Sequence, residues 1–185
     1  MADQDLNNRG NGGGGDASLP QAATLAQYIK DLSVESPNAP LVFQWQAQPQ
    51  LDVQFNINVD RVGDDMHEVV LKIEVGARSE QGVHFLIDLS YGGLFALRNV
   101  PEDAVGPFLL VEAPRLLFPF MRQIVADCSQ QTGFPPLLLD PIDFGAAYMA
   151  QLQAQEQGQN GAAGAGSEGN GDDSTAEPSD ETPQS

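Results

Sequence analysis

Few side chains in this sequence are of the types that catalyse reactions or bind metals. The 185 residues include two histidines, His67 and His84, and one cysteine, Cys128. No Cys-X-X-Cys, His-Glu-X-X-His or Gly-Lys-Ser/Thr pattern is present, so zinc sites and phosphate-binding loops lack their usual signatures. Cys128 falls on the apolar side of a predicted helix with no histidine near it in sequence, which favours a buried, unreactive thiol. We therefore predict a protein that is not an enzyme and uses no metal or cofactor.

Polar side chains on the predicted strands are more informative. Asp31 and Glu35 share one parity of the first predicted strand, so their carboxylates should point the same way. His84, Leu86 and Asp88 share the polar parity of the last strand, where Leu86 is apolar among polar neighbours. An exposed leucine among carboxylates can anchor a partner whose basic side chains meet the acids. The alternative is a solvated face with one exposed leucine, which is common in soluble proteins.

Alternation of apolar and polar residues predicts the strands that must position these side chains. Three segments alternate almost without error, as strands with one buried and one solvated face do; they cover residues 50–60, 66–77 and 82–91. A further strand precedes them, in which Tyr28 and Leu32 share the apolar parity. The short breaks between consecutive strands predict an antiparallel sheet.

Helical periodicity follows the strands. Apolar residues recur at steps of three and four over residues 114–130 and again over 143–155, which predicts two helices. Residues 101–113 contain two prolines and are predicted to form a loop or a short helical turn. Four strands followed by two helices predict an α+β fold, an antiparallel sheet with the helices on one face.

The first predicted helix is apolar around more than one face. One side can pack on the chain's own sheet, whereas the other side needs a second subunit. We therefore expect a homo-oligomer with this helix at the interface, formed by Leu117, Phe120, Met121 and Ile124. The alternative is a helix fully enclosed in the core of a monomer.

Composition limits the folded part of the chain and the partners it suits. Residues 1–22 are rich in Gly and Asn, and residues 154–185 in Gln, Gly, Ala and acids, so we expect disordered tails around one folded domain at 23–153. The net charge of −18 disfavours nucleic acids and anionic membranes. One cysteine allows no intrachain disulfide, and we see neither a secretory signal nor an apolar run of ~20 residues. We expect a cytoplasmic protein that does not insert into membranes.

Several segments together resemble one known family, the protein-export chaperone SecB. They are Asp-Leu-Ser-Val-Glu-Ser-Pro-Asn-Ala-Pro at 31–40, Tyr-Gly-Gly-Leu-Phe at 91–95, Pro-Arg-Leu-Leu-Phe-Pro at 114–119, Thr-Gly-Phe-Pro-Pro at 132–136 and Leu-Asp-Pro-Ile-Asp-Phe at 139–144. The resemblance runs from about residue 24 to 153 with the segments in order. It implies an ATP-independent homotetramer, a dimer of dimers. Such a chaperone holds preproteins unfolded and delivers them to the SecA ATPase of the Sec pathway.

The resemblance also implies roles for particular residues. The family's contacts with SecA, which docks a basic zinc-binding tail, fall on Asp31, Glu35, Leu86 and Asp88. Its groove for unfolded clients is lined by aromatic side chains, which fall here on Phe43, Phe144 and Tyr148, with Trp45 two places ahead of the usual crossing-loop tryptophan. Two other classes stay open, a small-molecule-binding α+β domain and a passive oligomeric scaffold.

Overall fold

A computed structural model describes residues 19–162 of the chain, so most of the two predicted tails lies outside the described residues. The elements are β1 (Gln21–Glu35), β2 (Gln50–Arg61), β3 (Met66–Ser79), β4 (Gly82–Arg98), α1 (Glu102–Pro107), α2 (Ala113–Gln131) and α3 (Phe144–Ala162). The four strands form one antiparallel sheet in the order β1-β4-β3-β2. The predicted α+β class and all four predicted strands are confirmed, with β1 beginning inside the segment predicted as a tail.

One face of the sheet carries the core of the unit that ends at Tyr148. Alternate residues of the two central strands are almost fully buried there and meet the sheet-facing side of α2. The largest of these enclosed side chains are Leu71, Ile73, Ile87, Leu89, Phe95, Leu117 and Met121. We call this the helix face of the sheet, and the opposite face, which carries the polar residues of the same strands, the open face.

Leu117 and Met121 are fully buried against the sheet of their own chain. Their assignment to a subunit interface is therefore wrong, because their four-residue spacing places both on the sheet-facing side of α2. Phe120 is 52% exposed, and Ile124 is half-buried. Only these two of the four predicted interface residues have surface to offer a second subunit.

The segment at 101–113, predicted as a loop or a short helical turn, is helical, and its helix is longer than a single turn. α1 leads into a π-helical turn, Phe108–Glu112, that continues directly into α2. Pro107 and Pro114 flank this turn, and each lacks an N–H, so the hydrogen-bond ladder widens there without ending the helix. The 30-residue stretch Glu102–Gln131 is long and apolar enough to span a membrane, contrary to our reading of the sequence. Its buried side nevertheless forms the core with the sheet.

β1 departs from regular alternation at two places. Its pairing with β4 shifts by one residue between Thr24 and Ala26, and again between Ile29 and Asp31. The second bulge places Tyr28 on the open face with Asp31, although regular alternation would point residues three apart to opposite faces. The predicted shared parity of Tyr28 with Leu32 is therefore wrong.

α3 begins one residue after the predicted start. The Asp143 carboxylate accepts a hydrogen bond of 2.9 Å from the backbone N–H of Ala146, which satisfies a free donor of the first turn. The helix continues to Ala162, beyond the predicted end at 155.

Candidate binding surfaces

The four residues predicted to contact a protein partner lie together on the open face. Glu35 of β1 pairs with Leu86 of β4, and Asp31 pairs with Ser90. Asp88 lies between these two pairs in β4. Asp31 and Glu35 are exposed, whereas Leu86 and Asp88 are half-buried. Cross-strand neighbours in a sheet are about 5 Å apart, so these side chains form one continuous surface.

Two further strands extend this surface and add charge. Glu74 of β3 pairs with Asp88, and Asp52 of β2 lies opposite Gly76, which pairs with Leu86. We call the surface formed by Asp31, Glu35, Asp52, Glu74, Leu86 and Asp88 the acidic open face.

A shallow depression marks the centre of the acidic open face. It is lined by Leu86 and Gly76, by the carboxylates of Glu35, Asp52 and Glu74, and by the guanidinium of Arg78. A Cβ atom on Gly76 would lie 3.7 Å from Cδ2 of Leu86, so the absence of that atom leaves the leucine side chain open. A leucine bordered mainly by carboxylates suits a peptide that carries an apolar side chain between basic ones.

Lys72 partly neutralises the centre of the acidic open face. Its Nζ lies 2.7 Å from Oε1 of Glu74 and 3.4 Å from Oδ2 of Asp88. The hydrogen bond to Glu74, with a smaller contribution from Asp88, raises the pKa of Lys72. Within residues 19–162, neither Asp31 nor Glu35 forms an ion pair. Their charges are therefore not neutralised by a direct partner.

A second surface forms around the crossing segment between β1 and β2. Phe43 lies in a 3-10 helix, Leu41–Gln44, and is 55% exposed. Its ring centroid is 5.8 Å from that of Phe134, and its ring lies over Gly133, where an added Cβ would come within 2.8 Å of it. Gly133 also has a φ of +90°, which a residue with a side chain rarely adopts. The crossing segment and the chain after α2 therefore share one apolar surface.

Trp45 and His84 belong to the same group of rings. The Trp45 ring meets the His84 ring edge-on at 5.0 Å, and His84 is 5.6 Å from Phe134. His84 is 2% exposed, although its parity predicted the solvated face. The pairing between β3 and β4 skips His84, because a bulge there pairs Ala77 with Phe85 and Arg78 with Val83. We call the group formed by Phe43, Trp45, His84, Phe85 and Phe134 the aromatic end cluster.

Phe144 and Tyr148 do not join the aromatic end cluster. Phe144 is 3% exposed, and its ring contacts those of Phe55 at 5.9 Å and Phe118 at 5.8 Å. It is a core residue, so its prediction as a groove-lining side chain is wrong. Tyr148, one turn later, is half-buried with its hydroxyl beside Gly106. The helical spacing of these two residues predicted their shared direction, but it could not tell whether that direction is inward.

Three members of the aromatic end cluster, His84, Phe85 and Phe134, were not identified from the sequence. The signal for Phe134 was its place after Gly133 in a segment too rich in proline for a helix. Ser129 fixes that segment, because its Oγ accepts a hydrogen bond of 2.7 Å from Leu137 N–H and donates one of 2.9 Å to the carbonyl of Ala126.

Burial, together with the neighbouring Asp127 carboxylate, raises the pKa of the Cys128 thiol and keeps it protonated. Within residues 19–162, no three His, Cys, Asp or Glu side chains converge in a way that could hold a metal ion.

Comparisons with known proteins agree on one family. The family model described as preprotein translocase subunit SecB matches residues 16–155. A protein-export protein SecB from Sphingopyxis alaskensis is 52% identical over 164 residues, covering 87% of this chain and 95% of the relative. Another, from Zymomonas mobilis, is 55% identical over 142 residues, covering 77% of this chain and 87% of the relative.

The fold has a counterpart among solved structures. A SecB-like chaperone from Mycobacterium tuberculosis, in complex with a peptide from an antitoxin, superposes with a TM-score of 0.53. The alignment covers 65% of this chain and 90% of that one at 18% sequence identity, so the likeness is one of fold.

Proposed function

The chain belongs to the SecB family of protein-export chaperones, and on that premise we propose that it holds preproteins unfolded and delivers them to the SecA translocation ATPase in the cytoplasm. The observation that carries the delivery step is the register of the sheet, which brings Asp31, Glu35, Leu86 and Asp88 onto one exposed surface. The acidic open face is the proposed docking site for the basic, zinc-binding tail of SecA.

Charge and shape both support this docking. The desolvation cost is small when a basic peptide binds to exposed carboxylates, and long-range attraction raises its rate of association. Leu86 adds an apolar contact that a purely electrostatic surface lacks. Because exposed charges are screened over ~10 Å at 0.1 M salt, the affinity should fall as salt is added.

The test of docking is a titration with the zinc-loaded SecA tail at several salt concentrations. Asp31→Asn and Glu35→Gln remove charge without changing shape, and each should weaken binding ~3- to 10-fold, as rim charges in contact with a partner do. Asp60→Asn is the matched control, because Asp60 is an exposed carboxylate of β2 outside the acidic open face. Salt-independent binding, or equal binding by all three variants, would rule out this site.

We place client binding on the exposed apolar surface of the aromatic end cluster. Phe43 and its neighbour Leu41, which is 63% exposed, together form an exposed apolar patch, and such patches mark interaction sites. Trp45 and Phe134 are half-buried beside them, and Tyr148 offers a more distant contact. Apolar contact is not directional, so it tolerates many client sequences, as a holding chaperone requires.

Phe43→Ala tests this placement without touching the core. We expect it to reduce the protection of an unfolded preprotein against aggregation, measured by light scattering, while the unfolding midpoint stays close to wild type. Val62→Ala is the control, since Val62 is equally exposed (52%) but lies in the turn after β2. Full protection by Phe43→Ala would place the client elsewhere.

Assembly is the third part of the proposal. β1 is a 15-residue edge strand, and Ile29, Leu32 and Val34 on its helix face are 39–48% exposed. An edge of this length with apolar neighbours favours pairing with another chain. On α2, Leu116 and Phe120 are about half exposed. Two kinds of contact, one through β1 and one through α2, would give the tetramer expected of a dimer of dimers.

A further inference from the structure

Glu68 connects two strands that are not neighbours in the sheet. It lies on the open face of β3 and is 9% exposed. The Tyr28 hydroxyl donates a short hydrogen bond to its Oε1, and Lys30 Nζ lies 2.6 Å from its Oε2. Both donors belong to β1, and β4 runs between β1 and β3. One carboxylate therefore ties the edge strand to the interior of the sheet, across an intervening strand.

Gly92 makes this reach possible. It pairs with Tyr28 on one side and with Val70 on the other. A Cβ atom on Gly92 would lie 2.8 Å from Cε2 of the Tyr28 ring, so only a glycine lets the ring lie flat across β4. The tyrosine side chain can then place its hydroxyl over β3, where it donates its hydrogen bond to Glu68.

The two donors lie at the second bulge of β1, Tyr28 just before it and Lys30 within it. Tyr28 pairs with Gly92 and Ile29 with Tyr91, whereas the next pair joins Asp31 to Ser90, so Lys30 is the extra residue. A one-residue insertion exchanges the faces of every residue that follows it. Without the bulge, a β1 that kept Tyr28 on the open face would turn Asp31 and Glu35 to the helix face. The location of both carboxylates thus depends on Lys30 staying outside the pairing.

We infer that Glu68, by accepting hydrogen bonds from both Tyr28 and Lys30, holds the β1 bulge in place and so positions Asp31 and Glu35 on the acidic open face. Glu68, Tyr28 and Lys30 are then positioning residues for docking, and none of them needs to touch the partner. The inference rests on the proposed docking function. Hydrogen bonds to a charged, nearly buried carboxylate are among the stronger ones in proteins, which suits a group that must fix a register.

The experiment compares Glu68→Gln with Asp60→Asn in the full chain. Asp60 of β2 pairs directly with Glu68, so the two substitutions remove the same charge from adjacent places on one face. The binding probe is the zinc-loaded SecA tail. We expect Glu68→Gln to weaken binding at least as much as Asp31→Asn does, because it displaces Glu35 as well, and Asp60→Asn to leave binding unchanged. In the double variant Asp31→Asn/Glu68→Gln the two losses should not add, because one acts through the other.

A second measurement reads the register itself. Backbone NOEs between β1 and β4 report the pairing of Asp31 with Ser90, and they should weaken in Glu68→Gln but persist in Asp60→Asn. Tyr28→Phe, which keeps the ring over Gly92 and loses only the hydroxyl, should cause a smaller change of the same kind. It serves as the test if Glu68→Gln does not fold.

The outcomes separate the two proposals. If Asp31→Asn weakens docking while Glu68→Gln does not, the positioning role is refuted and the docking site stands. If Asp31→Asn has no effect, the docking site is refuted, and the NOEs alone decide whether Glu68 holds the bulge. Unchanged Asp31–Ser90 pairing in Glu68→Gln overturns the inference in either case.

Discussion

At the scale of single residues, two adjacent glycines let side chains approach the sheet from both faces. Gly92 lies under Tyr28 on the open face, and Gly93 lies under Leu117 on the helix face. A Cβ atom on Gly93 would come within 2.7 Å of Leu117 and 2.8 Å of Phe95, both of them fully buried. Packing therefore requires glycine at both positions, at Gly92 to admit the ring of Tyr28 and at Gly93 to admit the core side chains.

Gly93→Ala should destabilise the fold by ~1–3 kcal/mol, the usual effect of overpacking a dense core. The measurement is urea unfolding at a fixed protein concentration. Gly76→Ala is the control, because the nearest atom to its added Cβ is 3.5 Å away, an ordinary contact. It should be neutral or slightly stabilising, since a strand glycine carries an entropic cost. Equal stability of the two variants would contradict the packing argument.

Glu68 predicts a pH dependence of stability. Its hydrogen bonds from Lys30 and, to a smaller extent, Tyr28 lower its pKa in the folded state. A carboxyl whose folded pKa is lowered stabilises the fold above its unfolded pKa of ~4.3, and this contribution is lost as the pH falls through the folded value. The free energy of unfolding of the wild type should exceed that of Glu68→Gln by ~1–2 kcal/mol at pH 7. The expected difference is this small because Lys30 is half exposed and its ion pair is weakened by solvent. The difference should shrink as the pH falls through the folded-state pKa of Glu68. A pH-independent difference in unfolding free energy would exclude this origin.

At the scale of elements, the chain between α2 and α3 depends on one buried hydroxyl. Ser129 is fully buried, and its hydroxyl links the end of α2 to the backbone of Leu137. Phe134, in the same segment, packs on Phe85 of the sheet. Ser129→Ala should cost ~1–3 kcal/mol, because the N–H of Leu137 loses its partner in a poorly hydrated place. Ser33→Ala, at an exposed site of β1, should change the unfolding free energy by less than ~0.5 kcal/mol. A neutral Ser129→Ala would mean that water replaces the hydroxyl.

The elements also mark where sequence reasoning succeeds and fails. Alternation found every strand, because one buried face imposes a period of two on the residues themselves. It failed at Tyr28 and His84, since a bulge is defined by the partner strand and leaves no local signature. Residues 101–113 were predicted from their prolines as a loop or a short helical turn, whereas buried residues such as Leu109 hold them against the core as a longer helix. The polar parity of the strands was enough to predict the acidic open face. The aromatic end cluster is built from segments far apart in sequence, and only Phe43 and Trp45 of its members were predicted.

At the scale of the whole molecule, each chain leaves apolar surface uncovered on β1 and on α2. Phe120 stacks on Tyr91 at 6.4 Å and is half exposed, so its outer side is free within the described chain. Phe120→Glu should therefore lower the mass of the assembly in solution, because it places a charge in the proposed contact. Leu138→Glu, an equally apolar and more exposed site (65%) after α2, should keep the wild-type mass. A Phe120→Glu variant of wild-type mass would move the interface elsewhere.

The contact of Trp45 with His84 has a practical consequence. Trp45 is the sole tryptophan of the chain, and it lies beside an imidazole and beneath the proposed client surface. Its emission is therefore an unlabelled optical reporter of the crossing segment. Docking of cargo over Phe43 would alter the water around the indole, so client binding can be followed in real time through one native fluorophore.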